Sequence, residues 1–209
     1  MLHIQRERNW HVKGIVWTFV VLGLFAAGLY VLLLSFAPMT ILEPLTGRAP
    51  NVTQKKLEDS PGPAGNRLYI PQINVDVAIV TGSNEVALEK GAWHRHPENG
   101  DPVKGGNFVL SAHRFVMALT PQGVAERSPF YNINKLVVGD HIFVDFNGKR
   151  YAYEIKRIYS VKPNAVEIEA PSKDAKMTLY SCTLGGSADG RDVIEAVNIG
   201  EVTKVSVHE

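Results

Sequence analysis

From Gly14 to Ala37 the chain carries no charged residue. A run of about 24 residues makes roughly 36 Å of helix, enough to cross a hydrocarbon core of about 30 Å with some tilt. Arg6, Arg8 and Lys13 precede the run, opposed only by Glu7. The positive-inside bias places residues 1–13 in the cytoplasm and everything after the run outside it. Trp10 and Trp17 suit the interface at the inner end. The competing reading is a cleaved signal peptide, with Ser35-Phe36-Ala37 as a small-x-small cleavage site. The run exceeds the roughly 7–15 apolar residues of a signal core, which favours an uncleaved anchor over residues 14–37. Either way the body of the chain is expected to be extracytoplasmic.

Prolines at 38, 44, 50, 61 and 63, set among Gly, Asn, Ser and charged residues, mark residues 38–66 as a tether. The remaining stretch, 67–209, is about 140 residues, long enough to bury a sizeable core without disulfides. A hydrophobic content of 45% with 21% charged residues is that of a globular protein. The formal net charge is +1 with no basic stripe, so nucleic acid is not an expected partner.

The folded stretch reads as mainly antiparallel β, a small barrel or sandwich. Val75, Val77 and Ile79 alternate with Asp76 and Ala78, as in a half-buried strand. Phe108–Leu110 is a short apolar run entered through Gly105-Gly106-Asn107. Ile142–Phe146 and Tyr151–Ile158 flank Asn147-Gly148, the preferred pair for a tight hairpin turn. Met177–Cys182, Val193–Val197 and Val202–Val207 supply further strands, with short helices expected at Glu85–Lys90 and Tyr131–Leu136.

Cys182 is the only cysteine, so no disulfide can form within one chain. It ends a strand-like run and opens into Thr183-Leu184-Gly185-Gly186-Ser187-Ala188-Asp189-Gly190, read as a mobile loop. Position alone leaves a packed structural thiol and a nucleophile equally open. His113 ends the Phe108–Leu110 strand, and a cysteine nucleophile needs an imidazole to protonate its leaving amine. Arg191 follows the glycine-rich loop; a fixed guanidinium can stabilise the oxyanion of acyl transfer. A zinc set of His94, His96, His113 and Cys182 is chemically sensible but matches no strong zinc spacing.

Together these segments resemble the sortases, cell-surface cysteine transpeptidases of mainly Gram-positive bacteria. Leu68-Tyr69-Ile70-Pro71-Gln72-Ile73 is similar to the family's opening Ile-Pro-x-Ile strand. Gly106-Asn107-Phe108-Val109-Leu110-Ser111-Ala112-His113-Arg114 is similar to its Gly-Asn-x-Val-Leu-x-Gly-His-Arg segment. Phe130, Leu136 and Gly139-Asp140 fit its Phe-x-x-Leu-x-x-Leu-x-x-Gly-Asp stretch, and Thr178–Cys182 its Thr-Leu-x-Thr-Cys signature, with Arg191 at the family's arginine. Ala112, Ser181 and Ile133 depart from the usual Gly, Thr and Leu without removing a reactive group.

The resemblance implies an all-β fold: an eight-stranded barrel with short helices, preceded by one N-terminal transmembrane helix. It implies Cys182 as nucleophile on a C-terminal sorting motif similar to Leu-Pro-x-Thr-Gly, forming a thioacyl-enzyme. His113 would act as acid and then base, and Arg191 would stabilise the oxyanion or hold the motif. Implied partners are surface proteins bearing the motif, the cell membrane, and an acceptor amine from peptidoglycan or a pilin lysine. Residues 38–66 lack the Asp-Pro-aromatic lid usual in pilin-polymerising members, which favours anchoring. No cofactor is expected; the alternative is calcium at Glu167, Glu169 and Asp174. A Ser-x-Gly-Cys-x-Arg motif of the L,D-transpeptidases is absent. The non-enzymatic alternative is a membrane-tethered β-barrel interaction module with an inert thiol.

Overall fold

The structure, a computed structural model, describes residues 2–36, 65–82 and 86–202. Helix α1 spans Leu2–Phe36, and its segment Lys13–Leu34 is long and apolar enough to cross a membrane. The side chains of Ile15, Trp17, Phe19, Leu24 and Phe25 stand exposed along it, as an apolar solvent requires. The expected tether lies almost wholly outside the described residues.

The rest is a barrel of short strands: β1 Arg67–Ile70, β2 Val75–Thr81, β3 Ala92–His94, β4 Gly100–Asp101, β5 Gly105–Ser111, β6 His141–Phe146, β7 Lys149–Val161, β8 Lys176–Thr183 and β9 Gly186–Glu201. The order β3-β2-β1-β6-β7-β9-β8-β5 is closed by pairing of β3 with β5, giving an eight-stranded barrel. The two-residue β4 pairs only with β5, outside that ring. Closure removes the free sheet edges on which other chains could template. Most pairings are antiparallel; β2–β3 and β5–β8 are parallel.

Alternation along the strands fills the barrel. Leu68, Ile70, Val75, Ile79, Phe108, Leu110, Ile142, Val144, Met177, Leu179 and Ile194 form one interior cluster. Burying each such side chain contributes about 1.5–3 kcal/mol. The β6–β7 hairpin is the one the sequence indicates: Phe146 pairs with Lys149, and Asn147 and Gly148 both take positive φ (51° and 79°). That is the type I′ geometry, whose twist matches the flanking strands.

Three expectations change. Gly186–Gly190 is the extended start of β9, leaving only Leu184-Gly185 as the turn after β8. Strand β9 ends at Glu201, so the strand expected at Val202–Val207 does not begin at Val202; residues 203–207 lie outside the described residues. The short helices are single 3-10 turns, Leu88–Lys90 and Ile133–Lys135. An unexpected helix, α2 (Pro121–Arg127), follows β5; the Thr120 hydroxyl accepts from Gly123 N at 3.0 Å as its N-cap.

Candidate active site

The period of two along a strand decides which way each candidate faces. On β8, Met177 and Leu179 point into the barrel while Tyr180 belongs to a second cluster with Val109, Ile168 and Val193. Cys182, two residues after Tyr180, therefore shares the outer face. Arg191 pairs directly across from Cys182 as Val193 pairs across from Tyr180. On the other side, Ser111 pairs with Tyr180 and Ala112 N donates to Tyr180 O at 3.4 Å. Ala112 belongs to the interior cluster, so His113 falls on the outer face beside Cys182. Neighbouring strands are about 4.8 Å apart. His113, Cys182 and Arg191 thus stand side by side on adjacent backbones at one end of the barrel. Cys182 is a free, partly exposed thiol.

The frame beneath these residues is polar and centred on a buried arginine. Arg114 is 3% exposed; its guanidinium donates to Asp192 Oδ2 at 3.1 Å and Asn134 Oδ1 at 2.9 Å. It locks the backbone that carries His113 to the backbone that carries Arg191. Burial pulls the Arg114 pKa down, opposed by the Asp192 charge. Phe130 N donates to His113 O at 3.2 Å, fixing the chain as it leaves β5. The Arg191 guanidinium donates through Nη1 to the carbonyls of Ser187 and Gly190, both at 2.9 Å. The β8–β9 hairpin thereby holds the cation it presents.

Two residues at the site had no sequence signal. Glu89 Oε1 lies 3.6 Å from His113 Nε2, a nitrogen that is buried and has no hydrogen-bond partner among the described residues. Arg127 at the end of α2 holds Glu89 Oε2 through Nη2 at 2.6 Å and Nε at 3.1 Å. Neither residue lies in a motif; only the fold brings the turn after β2 and the helix after β5 together.

His94 and His96 have other engagements. His94 is buried, with Nε2 3.0 Å from Gly100 O and its ring edge-on to Phe108, and burial lowers its pKa. His96 Nε2 meets Glu169 Oε2 at 2.8 Å, which raises the His96 pKa. Glu169 also accepts from the Tyr180 hydroxyl and pairs with Arg95 at 3.0 Å. These bonds fasten the β7–β8 connection over the outer face below Cys182, with Ile168 packed beneath it. Among the described residues no three or more His, Cys, Asp or Glu side chains are grouped to hold a metal ion. The zinc set is not assembled, and Glu169 is committed to a structural role.

The sortase-domain family model matches residues 68–199. Sortase SrtE1 of Streptomyces coelicolor is 32% identical over 118 residues, 53% of this chain and 31% of that protein. The chain thus spans about a third of the length of that relative. Among solved structures, Listeria monocytogenes sortase A shares the fold with a TM-score of 0.57 at 22% identity, over 66% of this chain and 90% of that one. Sortase C1 of GBS Pilus Island 1 has a TM-score of 0.57 at 26% identity, over 69% of this chain and 68% of that one. With the domain match covering more than half of its length, the chain belongs to the sortase family.

Proposed function

We propose that the protein is a membrane-anchored cysteine transpeptidase that cleaves a sorting motif similar to Leu-Pro-x-Thr-Gly and joins the carboxyl end to a cell-wall amine. The observation that carries this reading is the direct pairing of Cys182 with Arg191, with His113 two positions past Ser111, which pairs with Tyr180 on the other side of the Cys182 strand. Helix α1 supports the anchor, and the basic residues before it support a cytoplasmic N-terminus.

In the proposed reaction the Cys182 thiolate attacks the threonine carbonyl carbon. The oxyanion that forms is stabilised by the Arg191 guanidinium, which the hairpin carbonyls hold in place. As the C–N bond breaks, the His113 imidazolium gives its proton to the departing glycine amine, leaving a thioester. An incoming amine loses a proton to His113, attacks the thioester and releases the thiolate. With Nε2 facing Glu89, Nδ1 is the nitrogen left to exchange protons. The Glu89 carboxylate faces the ring from 3.6 Å during both transfers. No cofactor enters this scheme.

A peptide library built on the motif, incubated with a panel of amines, tests it. Mass spectrometry is expected to show peptides ending in threonine joined to a peptidoglycan-type amine. Exclusive transfer to a pilin lysine would reassign the acceptor, and failure to cleave any member would reject the reading.

A further inference from the structure

The segment after His113 leaves the barrel with an alternating pattern that its surroundings do not bury. Phe115, Met117 and Leu119 are 39%, 47% and 89% exposed, while Val116 and Ala118 are half-buried. The segment is built, not frayed: Val116 N donates to Ser128 Oγ at 2.9 Å, and Thr120 caps α2. The Phe115 ring leans on Tyr131, with centroids 6.1 Å apart, while Met117 and Leu119 beside it stand outward, and such outward apolar side chains point to an apolar partner.

The partner is indicated by where α1 ends. Leu34, the last residue of the apolar span, is buried against Val124 of α2, with Ala118 packed alongside. The Tyr30 hydroxyl donates to the Leu119 carbonyl. Tyr30 lies within the apolar span, four residues before its end, or about 6 Å along the helix axis. A membrane that covers α1 to Leu34 therefore reaches Leu119.

We propose that Phe115, Met117 and Leu119 insert into the lipid headgroup–acyl boundary of the leaflet on the domain side. This makes a second membrane contact that turns the His113–Cys182 end of the barrel toward the bilayer. The inference rests on α1 being the membrane anchor. Only Arg114 separates His113 from Phe115, so the reacting groups would lie close to the lipid surface, facing substrates presented from the membrane.

The test uses the full chain in phospholipid nanodiscs, with Cys182→Ala removing the native thiol. Single cysteines introduced by Leu119→Cys, Met117→Cys, Asn147→Cys and Val21→Cys are spin-labelled. Collision with oxygen, which partitions into lipid, is compared with collision with an aqueous nickel chelate. Leu119 is 89% exposed, so its substitution leaves the fold intact. Asn147 lies in the hairpin at the opposite end of the barrel from Cys182, as the Tyr151–Glu201 and Val161–Arg191 pairings show. The labels at 117 and 119 are expected to lose nickel collisions and gain oxygen collisions, while 147 keeps nickel. Nickel access at 119 equal to that at 147, or access by neither reagent, overturns the proposal. Nickel access at 21 would instead show that the anchor reading has failed, and the proposal with it.

Discussion

Glu89 Oε1 stands 3.6 Å from the buried Nε2 of His113, and Arg127 grips the other oxygen of the same carboxylate at 2.6 Å. A carboxylate so placed lies within reach of the ring that takes and gives the proton. Glu89→Gln keeps the shape and removes the charge. It is expected to lower kcat/KM about fivefold to tenfold, or about 1–1.4 kcal/mol of transition-state stabilisation, with KM little changed. Steady-state kinetics on a motif peptide check this; an unchanged kcat would remove Glu89 from the mechanism.

Arg191 sits directly across from Cys182, and its Nη1 is fixed by two hairpin carbonyls. A lysine keeps the charge but cannot span those carbonyls and the developing oxyanion together. Arg191→Lys is expected to cost about 10²-fold in kcat, the scale of losing one oxyanion donor. Activity within twofold of the parent would mean the guanidinium serves elsewhere.

The order of His, Cys and Arg was legible in the motifs, and so was the Asn147-Gly148 hairpin, because both depend on local residues. Glu89 and Arg127 were not, since their meeting at His113 depends on tertiary contact between two unrelated connections. Helix α2 hides behind its length of 7 residues and its internal Gly123, although Thr120-Pro121 is a proper start signal. The glycine-rich stretch after Cys182 reads as a loop on composition. It is extended because Thr183 pairs with Gly186 and draws the following residues into β9.

The hydrogen bond to Glu169 raises the His96 pKa above its ordinary 6.5. A group whose folded value is raised contributes stability that is fully present below the unfolded value and is lost as pH rises through the folded one. His96→Gln is therefore expected to lower Tm by a few degrees at about pH 5.5 and to converge with the parent above about pH 8, a modest effect because the pair is partly solvated. His94, which shifts the other way, is present in both proteins and cancels. Calorimetry across this range checks the prediction; a Tm difference independent of pH would contradict it.

The most direct test of the central claim is to capture the acyl group on the thiol. The full chain is incubated with peptides built on Leu-Pro-x-Thr-Gly without acceptor amine, quenched in acid and analysed by intact mass and peptide mapping. The account predicts a mass gain equal to the fragment ending in threonine, located on Cys182 and absent from Cys182→Ala, which also releases no glycine fragment. Cleavage by Cys182→Ala at the parental rate, or an acyl group on any other residue, would contradict it.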